Sequence, residues 1–464
     1  MPIRLPPDLM VSVSGFRGRV GDVVTPELVT GLAARYGAFL RGEGDGAHIV
    51  VGRDSRTSGP MLERAVVAGL LSVGCRVTEL GIVPTPTLML AVGELAADGG
   101  IGVTASHNGA EWNALKLAVR GGTFLSPDRM QSYLATLEAD SPRRASWNEI
   151  EAVERDDSRI QRHLDRVLDL PFLDAGQIRA RRFVVGLDCV NGAGGVIVPT
   201  LLERLGCRVH GIGLEPHGRF PRDPEPTAGN LDDLGRLVVE SGASVGFAVD
   251  PDADRLSLVD EMGCPLGEDL TLALAVDTVL SRRRGPVATN LSTSRVVEDA
   301  AARHGCTVHR APVGEINVVL AMQKVDAVVG GEGNGGVIVP ELHHTRDAVV
   351  GVALILQRLA DSPGAALSEL VAELPRYAIV KEKLPFPRER LAEAYEALAA
   401  DLPGATADNG DGLRLDWPER ASWLHLRPSG TEPVVRLIAE APTAEAAKVL
   451  AAKARGVVER RVGI

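Results

Sequence analysis

The sequence predicts an α/β protein of three similar domains followed by a smaller, different one, and a pattern used three times carries that prediction. The apolar run His48-Ile49-Val50-Val51 leads into the polar loop Gly52–Arg56, a helical pattern covers Pro60 to Val73, and Gly74-Cys75-Arg76-Val77 opens the next run. The same order recurs from Arg182–Leu187 through the loop Asp188–Gly195 and a helical stretch to Leu205, closing in Gly206-Cys207-Arg208-Val209. It recurs again from Pro286–Asn290 through Leu291–Arg295 and a helix to His304, closing in Gly305-Cys306-Thr307-Val308. Strand, polar loop, helix and then Gly-Cys-x-Val make one βαβ unit. The glycine is expected to end each helix in a left-handed cap, and the cysteine to pack as a small buried apolar residue rather than act as a thiol.

Composition sets the limits. With 464 residues the chain is long enough for about three or four domains. A net charge of −11 argues against a nucleic-acid partner, though a local cluster of arginines can still bind an anionic substrate. No signal peptide is read at the N-terminus, and no apolar run approaches the roughly 20 residues of a membrane span. Five cysteines without metal-type spacing suit neither a disulfide framework nor a zinc site, so the cytoplasm is the expected compartment. Polar or proline-bearing breaks at Asp140–Arg144, near Pro251–Pro265 and at Leu374–Tyr377 divide the chain into 1–145, 146–250, 251–372 and 373–464. The last part lacks the repeat, and Arg388–Ala400 reads there as an amphipathic helix.

Four loops carry candidate chemistry. Gly100–Val103 reads as a buried strand running into Thr104-Ala105-Ser106-His107-Asn108-Gly109, with Lys116 close behind. The Ser106 hydroxyl thus stands beside an imidazole and near an ammonium, which suits an esterified nucleophile; taken alone, the motif reads more readily as a solvated turn. After the strand Val245–Val249, Asp250, Asp252 and Asp254 set three carboxylates at alternate positions, with Arg255 next. Like charges so close call for a cation, and hard oxygen ligands suit Mg²⁺. An EF-hand is matched at Glu261, but Arg255 occupies the place that needs glycine and the flanks read as strands.

Gly330–Val337 places Glu332 and Asn334 among five glycines, a loop that admits a ligand to the backbone and offers groups for neighbouring sugar hydroxyls; alone it reads slightly more readily as a flexible turn. His343, His344, Arg346 and Asp347 can form a rim nearby, without the spacing of a metal pair. Arg427, Ser429, Gly430 and Thr431, followed by Arg436, form a potential anion cradle. Arg17, in Ser14–Gly18, is by itself a solvated charge.

Together and in this order, the four loops resemble the α-D-phosphohexomutase family, which covers phosphoglucomutase, phosphomannomutase and phosphoglucosamine mutase. The resemblance extends over essentially the whole chain. It implies mixed sheets, a C-terminal domain of α+β type and an active-site cleft between the domains. It further implies that Ser106 is a phosphoserine that phosphorylates a hexose phosphate, giving a sugar bisphosphate that reorients and returns its other phosphate. Mg²⁺ would be held by Ser106, Asp250, Asp252 and Asp254, with hexose 1,6-bisphosphate as activator. Arg17, Lys116 and Arg255 would steady the transferring group, Lys116 moving the proton and His107 orienting the phosphoserine. Glu332 and Asn334 would read the sugar, and Arg427, Ser429, Gly430, Thr431 and Arg436 would grip the distal phosphate.

The chain departs from the family at three places: Gly109 stands where a proline is usual, and Gly336 and Glu315 stand where many or some members carry histidine. A histidine acid/base at those places is excluded, leaving Lys116 or Glu315. The Gly-Glu-Gly-Asn-Gly-Gly form is similar to that of an archaeal-type subgroup with mixed sugar specificity. The expectation is a mutase acting on glucose or mannose phosphate, with glucosamine phosphate as the alternative sugar. A phosphatase and a non-catalytic sugar-phosphate-binding protein are the alternatives from other classes.

Overall fold

The computed structural model of the chain describes residues 2–42, 47–428 and 434–462. In the first sheet the strands Arg76–Ile82, His48–Arg53, Gly99–Val103 and Trp112–Val119 lie side by side in that order, the first three parallel and the last antiparallel. The second sheet repeats this order and these directions with Arg208–Ile212, Val184–Asp188, Val245–Val249 and Leu256–Val259. The third does so with Val308–Ala311, Val287–Asn290, Val329–Glu332 and Gly336–Ile338. The fourth sheet has five strands, all antiparallel, drawn from residues 378–441.

The repeated unit is therefore longer than the βαβ segment visible in the sequence. After its second strand each copy crosses through a further helix (Thr85–Glu94, Asp232–Ser241 or Glu315–Val325), adds a third parallel strand, and turns back in a hairpin. Gly74, Gly206 and Gly305 take φ of +77°, +70° and +67°, the left-handed turn that a Cβ would oppose. Cys75 behind the first is buried; Cys207 and Cys306 are half-buried against the core, so all three pack as apolar residues but only one is enclosed.

The expected breaks differ from where the sheets end. Glu154–Arg155 pairs with Arg76–Ile82, carrying the first sheet past residue 145. Leu256–Val259 pairs back onto Val245–Val249, so the second sheet continues beyond residue 250. At the second break the cause is the hairpin, whose return strand belongs to the sheet it leaves; at the first it is a short parallel strand added at the sheet edge after the polar linker. In the last part, Arg388–Arg390 forms a short 3₁₀ turn and the helix occupies Leu391–Asp401, burying Ala394 and Leu398.

Packing decides how rigidly these parts meet. The helix Ala348–Asp361 is apolar on nearly all sides and is enclosed by the second and third sheets, which share one core through Leu354, Ile355, Val185 and Val287. A second cluster joins Val50, Leu88 and Ala118 of the first copy to Ala288, Ile316 and Met322 of the third. The C-terminal sheet instead has its own core around Leu398, Leu424 and Leu437. It meets the third sheet largely through polar contacts: Ser292 Oγ with His425 Nδ1 at 2.9 Å, the Arg295 amide to Glu440 Oε1 at 3.1 Å, and Arg414 to the Leu291 carbonyl.

Two groups in that junction titrate away from their ordinary range: burial raises the pKa of the Glu440 carboxyl and lowers that of the His425 imidazole. Its Nε2 donates to the Asp411 carbonyl at 2.7 Å, so Nδ1 is the lone pair that receives the Ser292 hydroxyl. Burial lowers its pKa from 6.5 to about 4. The unfolded chain therefore binds this proton first, and the stability held by the neutral ring, complete above pH 6.5, is lost as pH falls towards 4. Thermal melts from pH 7 to 4.5 should show a steeper loss of Tm for the wild type than for His425→Gln.

Candidate active site

The three hairpins of the three copies converge, and each contributes one loop: residues 104–111 from the first, 250–255 from the second and 333–335 from the third. Ser106 sits in the first with φ +49°, a left-handed conformation that costs a non-glycine residue roughly 1–2 kcal/mol. Arg56 holds it there. The fully buried guanidinium donates through Nη2 to the carbonyls of Ser106 (2.6 Å) and Asn108 (2.7 Å), and through Nη1 to those of Trp112 (3.0 Å) and Gly109. Its Nε pairs with Asp54 Oδ2 at 2.9 Å, and the same oxygen accepts from Thr104 Oγ1 at 2.6 Å. Asp54 and Arg56 were visible in the sequence only as loop residues. Their signal was position: they follow the strand that lies beside the one feeding Ser106.

The Ser106 hydroxyl donates to Asp250 Oδ2 at 2.7 Å, which brings the first two loops into contact. Asp250 Oδ1 accepts the amides of Asp254 (3.0 Å) and Arg255 (3.1 Å), closing the second loop on itself around Ala253 at φ +51°. Asp252 Oδ2 receives Thr85 Oγ1 and Lys116 Nζ, each at 2.6 Å. Asp254 Oδ2 receives Lys116 Nζ at 3.1 Å and Arg346 Nη2 at 2.8 Å. All three aspartates are fully buried, and Asp252 Oδ1 and Asp254 Oδ1 have no hydrogen-bond donor. Three buried aspartates, each with a carboxylate oxygen within 4.8 Å of the others' and two of them with an orphaned oxygen, are a donor set that fits a small hard cation such as Mg²⁺. The EF-hand alternative fails: strands flank the loop, and Glu261 is turned away to Ser368.

Electrostatics follow from this crowding. Burial, reinforced by Asp252 and Asp254, drives the Asp250 carboxyl well above its ordinary pKa. Burial works against the Lys116 ammonium, but the two carboxylates outweigh it and keep it protonated. The Arg255 guanidinium, burial and Arg17 together hold the His107 imidazole neutral, with Nδ1 3.5 Å from Ser106 Oγ. Arg17 donates to Asn108 Oδ1 at 2.6 Å, its pKa drawn down to about 10 by burial and by Arg255. Arg255 reaches Glu225 Oε1 at 2.9 Å. A depression of about 470 Å³ opens beside these groups, lined by His107, Asn108, Glu111, Phe220, Arg222 and Glu225.

The remaining expected residues are placed less directly. Glu332 is brought to the site, yet its carboxylate is already engaged by Asn290 Nδ2 (2.7 Å), the Gly314 amide (3.2 Å) and Arg346 Nη1 (2.7 Å). Asn334 Oδ1 accepts the Gly336 amide at 3.2 Å. Arg427 and Arg436 are register partners on adjacent strands of the C-terminal sheet, and Arg427 Nε pairs with Asp411 at 2.7 Å. Ser429, Gly430 and Thr431 lie outside the described residues. Glu315 is buried against Thr345 and Arg346, its pKa raised by burial.

Behind the site, His163 and His343 both approach Asp347 Oδ2, at 2.8 and 3.1 Å. This cluster is a poor metal site. The Thr345 amide donates to His343 Nδ1, which leaves the ring proton on Nε2, where a metal would need a lone pair. It is instead a hydrogen-bonded knot between copies, continued by Thr87 to His163 Nδ1 at 2.8 Å.

Comparison with known proteins agrees with this geometry. The chain matches the phosphoglucomutase/phosphomannomutase alpha/beta/alpha domains I, II and III over residues 9–144, 161–263 and 267–377, and the C-terminal domain over 378–457. A phosphoglucomutase/phosphomannomutase from Thermococcus kodakarensis is 38% identical, across 94% of this chain and 95% of its own length. A probable phosphoglucosamine mutase from Methanopyrus kandleri is 35% identical, across 97% of each. The crystal structure of a putative phosphomannomutase from Thermus thermophilus superposes with a TM-score of 0.83 at 28% identity, over 99% of this chain and 100% of that one. Fold and site thus define an intramolecular phosphotransferase, a phosphohexomutase whose substrate is a sugar phosphate. The chain belongs to the phosphoglucomutase/phosphomannomutase family. Among the described residues no helix is long and apolar enough to cross a membrane.

Two outcomes follow for this site. Arg56→Met leaves Asp54 buried without its cation and four carbonyls without their donor, and urea denaturation should record a loss of roughly 3–5 kcal/mol. Millimolar Mg²⁺ should raise the Tm of the wild type by preferential binding to the folded state, and Asp252→Asn should abolish that rise.

Proposed function

We propose that the chain interconverts hexose 1-phosphate and hexose 6-phosphate, acting on glucose and mannose phosphates, through a phosphoserine at Ser106 and a sugar bisphosphate. The observation that carries this reading is the 2.7 Å bond from Ser106 Oγ to a buried acidic triad with two orphaned oxygens. The hydroxyl bonds Asp250 alone and leaves the orphaned oxygens of Asp252 and Asp254 unused, whereas a phosphoserine that shares a cation with the triad would account for them. Asp250, Asp252, Asp254 and an oxygen on phosphorylated Ser106 would hold Mg²⁺, which when bound offsets the charge of the transferring phosphoryl group.

The protein groups divide the work around that transfer. As the sugar hydroxyl attacks, the new P–O bond forms to the sugar and the bond to Ser106 Oγ breaks. One proton passes, in net, from the sugar hydroxyl to Ser106 Oγ. Lys116 Nζ holds a proton beside the triad and is the group suited to carry it. Arg17 and Arg255 steady the phosphoryl oxygens, and neutral His107 orients the serine side. Arg427, Ser429, Gly430, Thr431 and Arg436 grip the phosphate that is not reacting, and Glu332 and Asn334 meet the sugar. A hexose 1,6-bisphosphate would prime the dephosphorylated serine. Five unpaired cysteines support a cytoplasmic setting.

The alternative sugar is glucosamine phosphate, favoured by relatives at 34–36% identity described as probable phosphoglucosamine mutases. The test is ³¹P NMR of the protein with Mg²⁺, a trace of hexose 1,6-bisphosphate, and glucose, mannose or glucosamine 1-phosphate in turn. Conversion to a 6-phosphate is expected for glucose and mannose; conversion of glucosamine phosphate alone selects the alternative. Release of inorganic phosphate instead would make the protein a phosphatase. Ser106→Ala should abolish turnover, and full activity in that variant would overturn the assignment.

A further inference from the structure

We infer that Arg346 is a positioning residue that couples the metal loop to the sugar loop. One guanidinium serves three carboxylates from two copies of the fold. Nη2 lies 2.8 Å from Asp254 Oδ2, Nη1 lies 2.7 Å from Glu332 Oε2, and Nε lies 3.1 Å from Glu315 Oε2. Nε makes an ion pair there without hydrogen-bond alignment, so the two Nη atoms carry the directional bonds. The side chain is nearly buried, and the opposing charges hold it protonated against burial.

Its stem is as constrained as its head. A Cβ at Gly336 would overlap Arg346 Cδ and fall 2.7 Å from its Cγ. The space that a side chain at position 336 would need is therefore filled by this arginine. Gly336, Glu315 and Arg346 form one steric and electrostatic set: the glycine makes room for the stem, and the glutamate balances the head. The departures from the family pattern at positions 315 and 336 are accounted for together by one residue that the sequence left unassigned.

Asp254 and Glu332 have no bond to each other, and Glu332 bonds none of the three metal-loop aspartates. The loops also touch through the backbone, where the Leu256 amide donates to the Gly335 carbonyl at 3.0 Å, but between the two carboxylates the link is the shared cation. If Glu332 loses its charge, the guanidinium is left to Asp254 and Glu315 and competes harder with a metal ion for the Asp254 carboxylate. A sugar hydroxyl that draws on Glu332 would act in the same direction. Arg346 thereby makes occupancy of the sugar loop felt at the metal loop. This inference rests on the reading of the triad as a metal site.

The test is a double-mutant cycle on metal binding, read without turnover. Mn²⁺ affinity is measured by loss of the free-ion EPR signal for the wild type, Glu332→Gln, Arg346→Met and the double variant, each dephosphorylated. Glu332→Gln should raise the Kd for Mn²⁺ by about five-fold or more, and the effect should vanish in the Arg346→Met background. Arg346→Lys, which keeps the charge but cannot fork, replaces Arg346→Met if the latter does not fold, and should remove most of the effect. An unchanged Kd in Glu332→Gln, or an equal change with and without Arg346, would overturn the coupling. Failure of Mn²⁺ to bind the wild type, with Asp252→Asn as control, would sink the metal reading itself and this inference with it.

Discussion

The interaction on which the structure turns is the neutralisation of three aspartates at the point where three domains meet. Buried carboxylates this close coexist only if cations reach them or one keeps its proton: each neighbouring domain supplies a cation to Asp252 or Asp254, while Asp250 is driven towards its protonated form. Lys116 comes from the first copy and Arg346 from the third, while the aspartates come from the second. The charges thus specify the relative placement of the copies as well as their chemistry. Apolar packing makes the placement stable, since the second and third copies share a core and a separate cluster ties the first to the third.

The same hairpin, used three times, delivers three different chemical parts. Each copy ends its parallel run and turns back, and the turn carries Ser106, the three carboxylates or the glycine-rich loop with Asn334. The antiparallel return strand matters in its own right. In the first copy it bears Lys116, opposite Gly102 and Gly15, where small neighbours leave the side chain a path to the next domain. Loops at equivalent ends of parallel sheets are where α/β proteins place their ligands, and here three such ends share one cleft. The C-terminal sheet stands apart, with its own core and a polar junction.

Much of this was legible in the sequence because local patterns encode it. The βαβ units, their glycine caps, the strand before each functional loop and the three acidic positions all follow from hydrophobic runs and turn residues. Ser106, Asp250, Asp252, Asp254 and Lys116 do meet in space. What the sequence left hidden depends on long-range geometry. The strand Leu256–Val259 reads in one dimension as the start of the next domain, because nothing local says that it folds back onto Val245–Val249. Arg56 and Arg346 went unassigned because a buried arginine reads, in one dimension, like any surface charge. The partners that Glu332 takes, Asn290, the Gly314 amide and Arg346, are equally hidden, because none of them is its neighbour in sequence.

The division of the site among three copies has a consequence for how the chain comes into being on the ribosome. When the second copy emerges, its aspartates can meet Lys116, but the Arg346 that completes their neutralisation lies roughly ninety residues further on. The nascent chain therefore carries an acidic cluster short of one counter-charge until the third copy has been made and docked. No fragment that stops before Arg346 contains the whole charge-balanced cluster, so the order in which the copies are made is also the order in which its charges are matched.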